Sequence, residues 1–259
     1  MSSIRFLGTC SGTEPMENAH HCSLVFERDG IYYWFDAGEC CAYTAHLGDI
    51  DVMRTRAIFI SHAHVDHIGG LANLFACMRK LSWRYGKRMV DGKLEIFFPD
   101  MPVLEAVKRV AGISGEDPCP RLVEHGISDG VIFDDGEVRV TASHNGHLGE
   151  NGKSGWHSFS FRIDADGKGV VFSGDVASPS ELDRLIGEGC SMLIMETGHH
   201  AVADVCEYAR SRGVKRLIFN HHGREILGAR EEKERFVCEF GERADMDIRM
   251  AYDGMNETV

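Results

Sequence analysis

His62, His64, Asp66 and His67 fall within six positions of the segment FISHAHVDHIGGL, residues 59–71. Imidazole nitrogen and carboxylate oxygen are donors that suit borderline divalent metals, and structural zinc sites close tetrahedrally around four donors. A chain leaving a strand in extended form puts His62 and His64 on one side, because side chains alternate with period two. Asp66 and His67 then stand where the chain turns into a helix, where an aspartate can accept from free backbone N–H groups. Four donors from so short a stretch hold one ion poorly. They serve two ions if further ligands arrive from elsewhere.

Further donors stand at the carboxyl ends of later apolar runs: His144 and His147 after VRVTAS, Asp175 after VVFSG, Glu196, His199 and His200 in LIMETGHH, and His221 and His222 after RLIFN. Four separate strands each deliver His or an acidic residue, and loops at such strand ends are where sites in α/β architecture form. His144 and His147 compete for one role, and His147 is favoured. His20, His21, His46, His125 and His157 are read as ordinary surface or hydrogen-bonded histidines.

The elements that must position these groups follow from periodicity. Residues 4–8, 22–27, 31–36 and 57–61 read as strands, with Asp29-Gly30 as the turn between the second and third. Ile68, Leu71, Leu74, Phe75 and Met78 give helical spacing from about Asp66 to Trp83. Later strands are expected at LEIFF, VIFD, EVRVTAS, HSFSFRID, GVVFSGD, SMLIME, RLIFN and DIRMAY, and helices at 102–111, 179–187, 200–212 and 230–241, with Gly213 stopping the third. A strand-rich first half followed by a β/α second half predicts two packed sheets with helices outside, in one domain over residues 1–259.

Apolar content of 43% and charged content of 26% in 259 residues are those of a globular chain. No run reaches the ~18–20 apolar residues of a membrane span, and the opening MSSIRFLGTCSG lacks the apolar core of a secretory signal. A cytoplasmic location is expected. The nine cysteines are scattered without a C-x-x-C pair, which predicts reduced thiols; Cys40 and Cys41 read as small core residues. A net charge of −12 argues against a broad surface for a polyanion. The segment MRKLSWRYGKRMVDGK (78–93) is the basic, aromatic exception: either a guide for a nucleotide or a solvated helix face and loop.

The His-x-His-x-Asp-His cluster, followed in order by a His, the Asp of SGD and a later His, resembles the metallo-β-lactamase superfamily over nearly the whole chain. FLGTCSGTEP, FDAGE and METGHHAVADVCEYARSRGVKRLIFNHHGR are similar to segments of its ribonuclease Z-like phosphodiesterase branch. The resemblance implies a four-layer αβ/βα sandwich, two mixed sheets face to face with helices outside. It implies two divalent ions, zinc first and manganese or iron as alternatives. His62, His64 and His147 would hold one, Asp66, His67 and His221 the other, and Asp175 would bridge. It also implies a bridging hydroxide attacking a phosphodiester, with Asp66 as proton acceptor and His199, oriented by Glu196, acting on the leaving group from a helix start.

Transfer-RNA-processing members carry a long arm between the third-motif histidine and the SGD aspartate. Residues 148–174 are used up here by two strands and their turns, so transfer RNA is an unlikely substrate. The expected partner is a small phosphodiester, nucleotide or short oligonucleotide, with no membrane contact and a homodimer left open. Two alternatives stand beside this reading: a metal-dependent thioester or amide hydrolase of glyoxalase-II or β-lactamase type, and a non-catalytic metal-binding regulatory protein.

Overall fold

The computed structural model describes residues 2–14, 16–113, 119–150 and 155–259. Alternating burial in the apolar runs builds two sheets of seven strands each. The first holds β1 (Ser2–Gly8), β2 (Ser23–Arg28), β3 (Ile31–Phe35), β4 (Thr55–Phe59), β5 (Leu94–Phe97) and β6 (Leu122–His125), with the last strand of the chain, β14 (Asn256–Thr258), on the outer edge of β1. The second runs in the order β13 (Asp247–Met250), β12 (Arg216–His222), β11 (Met192–Thr197), β10 (Lys168–Phe172), β9 (Phe159–Ala165), β8 (Arg139–His144) and β7 (Gly130–Asp134). β14 through β3 and β7 through β10 pair antiparallel, whereas β3 through β6 and β10 through β13 pair parallel.

Each half of the chain therefore repeats one plan, an antiparallel meander leading into β/α crossovers. The expectation of a strand-rich half followed by a β/α half is corrected by this repeat. Short pieces were hidden in the sequence. β6 is a half-buried strand of four residues and β14 a polar one of three, neither with a usable alternation. Helix α1 (Cys41–Leu47) buries only Cys41, Ala42 and Ala45 and was not anticipated.

The helices cover the outer faces. α1, α3 (Leu71–Tyr85) and α4 (Met101–Ala111) pack on the first sheet through Leu71, Leu74, Phe75, Met78 and Leu104 against Trp34, Ile58 and Ile96. α5 (Asp183–Ile186), α6 (Val202–Ser211) and α8 (Arg230–Ala244) cover the second through Leu185, Val205, Ala209 and Val237 against Leu193 and Leu217. The expected helix 179–187 is a 3-10 turn, Pro179–Leu182, capped by Ser178 and Glu181, before the single turn of α5. The expected helix from Asp66 to Trp83 is broken into α2 (Val65–Ile68) and α3 at Gly69-Gly70. A β-carbon at Gly70 would lie 2.1 Å from the Gly38 carbonyl oxygen, so the break is where two backbone segments touch.

Between the sheets lies the main core, in which Phe6, Phe26, Phe35 and Phe59 of the first sheet meet Phe161, Phe172, Ile194 and Ile218 of the second. Phe59 stacks on Phe35 and Phe97 at centroid distances of 5.0 and 4.9 Å and meets Phe133 edge-on at 5.6 Å. Its backbone leads directly into His62, so core packing sets where the histidines begin. No helix among the described residues is long and apolar enough to cross a membrane.

Phe59 is fully buried, and truncating such a ring costs about 3–5 kcal/mol. Phe59→Ala is expected to lower unfolding stability by that amount in urea titration, while Val65→Ala, at a position 73% exposed, stays within about 0.5 kcal/mol.

Candidate metal centre

The carboxyl ends of β4, β8, β10, β11 and β12 meet at one end of the sandwich, and His62, His64, Asp66, His67, His147, Asp175, His199 and His221 converge there. His62, His64, His147 and Asp175 place one donor atom each within 4.8 Å of one another. His64 Nδ1 lies 2.9 Å from His62 Nε2 and 3.3 Å from His147 Nε2. Asp66, His67 and His221 form a second group, with His221 Nε2 at 3.1 Å from Asp66 Oδ2 and 3.2 Å from His67 Nε2. Asp175 stands between them. Its Oδ2 faces His62 at 3.8 Å and His147 at 3.7 Å, and its Oδ1 faces His67 and His221 at 3.4 Å each.

Three local backbone devices aim these side chains. The first is Gly174, which precedes Asp175 with φ +55; a β-carbon there would meet Ser61 at 2.9 Å. The second is a bulge in β12. Glu196 pairs with Asn220 and Thr197 with His222, so His221 is the extra residue, with φ 52. In a regular strand His221 and His222 would face opposite ways. Here His221 turns into the cluster while His222 is buried between Thr197 Oγ1 at 2.9 Å and the Ala251 carbonyl at 3.0 Å. Burial pushes the His222 imidazole down to about 3.

The third device is Asp36, which the motif reading passed over as part of an acidic turn. It is fully buried, with φ 59. Its Oδ1 accepts from Ser61 N at 2.7 Å, and its Oδ2 from Ser61 Oγ at 2.8 Å and His67 Nδ1 at 2.7 Å. With its own hydrogen given to Asp36, Ser61 Oγ can accept from His62 Nδ1 at 3.1 Å. This assignment satisfies the donors around Ser61, leaves Nε2 of His62 as a lone pair and turns Nε2 of His67 inward toward Asp175. A sequence signal existed in the Asp that closes the apolar run IYYWFD, but only tertiary contact shows what it holds.

Other placements depart from the sequence reading. It is His147 whose ring faces the cluster; His144 is held 2.8 Å from Asp129 and stacks on Trp156 at 4.2 Å. Asp66 lies inside α2 and caps nothing: that helix has no side-chain cap, and the Asp66 carboxylate turns to His221. His199 is three residues ahead of α6 rather than at its start. It is nonetheless fixed, because Glu196, itself buried, accepts from His199 N at 2.9 Å and from His199 Nδ1 at 3.1 Å. The basic segment 78–93 lies at the far end of β4, where Val90 N donates to the Met53 carbonyl, and does not reach this cluster.

Electrostatics follow from crowding. Burial and the adjacent His67 push His62 far below the ordinary imidazole range, and burial likewise lowers His147. Burial also opposes protonation of His67, but Asp175 and Asp36 on either side outweigh it and raise its pKa. Desolvation works against ionised Asp66 and Asp175 too, yet the surrounding imidazoles hold both carboxyls well below the usual range. At His199 the hydrogen bond to Glu196 raises the pKa against the effect of burial.

The donor set fits divalent ions. Asp175 Oδ1 is buried with no hydrogen-bond partner although it faces two imidazole nitrogens. Orphaned acceptors of that kind cost stability unless a cation completes them. Beside the cluster opens a cleft of about 960 Å³, lined by His199, Val202, Ile226 and Phe236 together with Ser11 and Thr13.

A β/α meander duplicated into two face-to-face sheets, with a His/Asp centre at one end, defines an αβ/βα sandwich hydrolase. Residues 34–222 match the family model of the beta-lactamase superfamily domain. The chain belongs to the metallo-β-lactamase superfamily, as a ribonuclease Z-like, metal-dependent hydrolase. A ribonuclease Z of Methanothermobacter thermautotrophicus is 25% identical, over 85% of this chain and 86% of that protein. A ribonuclease BN of Cronobacter sakazakii is 32% identical over 54% of this chain and 44% of that one. Among solved structures, the short form of human tRNase Z superposes with a TM-score of 0.72 at 18% identity, covering 99% of both chains. The metallo-β-lactamase fold protein YhfI of Bacillus subtilis gives 0.75 at 16% identity, covering 98% of both.

Removing an outer partner of a metal-binding imidazole weakens metal affinity about 10–100-fold. Asp36→Asn is expected to show that loss in competition with a chromophoric chelator, and Ser61→Ala a smaller one. Retention of full affinity in Asp36→Asn would separate Asp36 from the metal centre.

Proposed function

We propose that this chain is a binuclear-metal phosphodiesterase. His62, His64 and His147 would hold one ion and Asp66, His67 and His221 the other, with Asp175 shared. Zinc is favoured by the imidazole-rich donor set. The observation that carries the reading is Asp175, whose two oxygens each face a different imidazole group. When bound, such a pair of ions polarises a phosphoryl oxygen and acidifies a water.

The remaining work falls to the chain's own groups. Asp66, which lines the cleft, would accept the proton of the attacking water. His199 Nδ1 is tied to Glu196, so its Nε2 is the ring nitrogen free to donate to the leaving oxygen or to the charge developing on phosphorus. The hydrogen bond to Glu196 raises the His199 pKa and so favours the imidazolium, the form with a proton on Nε2 to give. Glu196 is the positioning residue: it fixes both the backbone and the ring of His199.

Cleft size supports a small substrate, since pockets of about 300–1,000 Å³ suit nucleotide-sized ligands. Within residues 148–174 the described part is occupied by β9, β10 and their turns, with 151–154 outside the described residues. A small phosphodiester or short oligonucleotide is therefore the preferred substrate over transfer RNA. The proteins named ribonuclease Z among its relatives support phosphodiester chemistry over thioester or amide cleavage.

Bis(p-nitrophenyl) phosphate should be turned over by the zinc-loaded protein, lost on chelation and restored by zinc. His199→Ala is expected to lower kcat about 10²–10⁴-fold at unchanged metal content, and Asp175→Ala to lose bound metal. Cleavage of lactoylglutathione or nitrocefin with no phosphodiester turnover would overturn the reading.

A further inference from the structure

Outside the centre just described, the described residues hold a further trio of unlike donors: His20, Glu39 and Cys40, each with a ligand atom within 4.8 Å of the others. His20 Nδ1 lies 3.0 Å from Glu39 Oε1. Tetrahedral zinc with bonds of about 2.0–2.3 Å sets its ligands roughly 3.3–3.8 Å apart, so the trio needs only small side-chain shifts to close on an ion. The three sit on two segments that are remote in register. His20 belongs to the loop joining β1 to β2, and Glu39 and Cys40 to the turn between β3 and α1.

Both segments are anchored independently of any ion. His20 N donates to Asp253 Oδ2 at 2.7 Å, and its carbonyl accepts from Cys10 N at 2.7 Å. The turn carrying Glu39 and Cys40 starts at Asp36, and Gly38 N donates to the Cys22 carbonyl at 3.0 Å. Cys40 heads α1, with its carbonyl accepting from Tyr43 N and Thr44 N. The side chains are reachable: His20 and Glu39 are 34% and 39% exposed, and Cys40 is exposed. The expectation of two small core residues at Cys40 and Cys41 is corrected here: only Cys41 is buried.

We propose that His20, Glu39 and Cys40 form a second, exchangeable site for a borderline divalent ion, zinc in the first instance, separate from the His/Asp centre. A thiolate, an imidazole and a carboxylate select zinc or cobalt over magnesium or calcium, which prefer all-oxygen shells. Capture forms one bond each from sulfur, nitrogen and oxygen to the ion, and the Cys40 thiol proton passes to solvent. Three protein ligands leave a fourth position for water, as in sites that exchange their ion or ligand.

Position gives the site a consequence. The loop bearing His20 also carries Ser11 and Thr13 on the rim of the cleft. The turn bearing Glu39 runs through Gly38, where a β-carbon would stand 2.5 Å from the Asp66 carbonyl oxygen. An ion across His20 and Cys40 would pin the rim of the cleft to the segment that backs Asp66.

Cobalt substitution tests this without relying on turnover. The residues of the His/Asp centre offer only nitrogen and oxygen, so a sulfur-to-cobalt charge-transfer band in the near ultraviolet reports a thiolate ligand. The metal-free protein titrated with Co²⁺ is expected to develop that band. Cys40→Ser should abolish it and lower zinc content by one equivalent in elemental analysis, and His20→Ala should weaken it. Cys22, the other thiol close to a histidine and a carboxylate, is the control: Cys22→Ala should keep the band. No band in the wild-type protein, a band that survives Cys40→Ser, or one lost only in Cys22→Ala would each overturn the proposal. Circular dichroism of each variant guards against misfolding.

Discussion

Asp36 is the constraint on which the rest of the site depends. A carboxylate with no exposure, at the end of β3 and in a left-handed backbone conformation, is stable there only because three donors converge on it. Those donors are the backbone and hydroxyl of Ser61 and the ring of His67. They join the ends of two neighbouring parallel strands and the first turn after them. A buried anion so satisfied does more than hold loops: it fixes which nitrogen of each imidazole faces back to the strands and which faces inward. The inward faces of His62 and His67 are therefore decided by a residue that does not line the cleft.

The second sheet answers with a different device. Where the first sheet uses a buried carboxylate to orient its imidazoles, the second uses backbone irregularity. A left-handed glycine precedes Asp175, and a bulge extrudes His221 from β12. Such conformations cost of order 1–3 kcal/mol each where the residue is not glycine, and they persist because the surrounding strands over-determine them. The aromatic core between the sheets supplies that rigidity. Phe59 lies two residues before Ser61, so the packing that stabilises the sandwich also fixes the registration of the two halves of the site.

Concentrating like groups in this way has an electrostatic cost that the protein resolves in pairs. Imidazoles lower the carboxyl pKa values of Asp66 and Asp175, carboxylates raise that of His67, and burial drives His62 and His147 neutral. Residual mismatches are the unpartnered Oδ1 of Asp175, at the boundary between clusters, and the unpartnered Nδ1 of His221. Outside this zone the chain's net charge of −12 leaves the cleft dependent on local positive charge to receive a phosphate ester.

By itself the sequence located the candidate donors and most of the scaffold. The spacing His62-x-His64-x-Asp66-His67, apolar runs ending in His or Asp, and period-two alternation identified the ligand candidates and the strands that carry them, because both signals are local. What it left open needed contacts between distant segments. Whether His144 or His147 turns inward depends on Asp129 and Trp156 claiming the former. Whether His221 or His222 does so depends on one bulged residue against β11. The role of Asp36, the break at Gly69-Gly70 and the exposure of Cys40 are likewise set by what packs beside them. Local periodicity fixes which way a side chain starts; only tertiary packing decides what it meets.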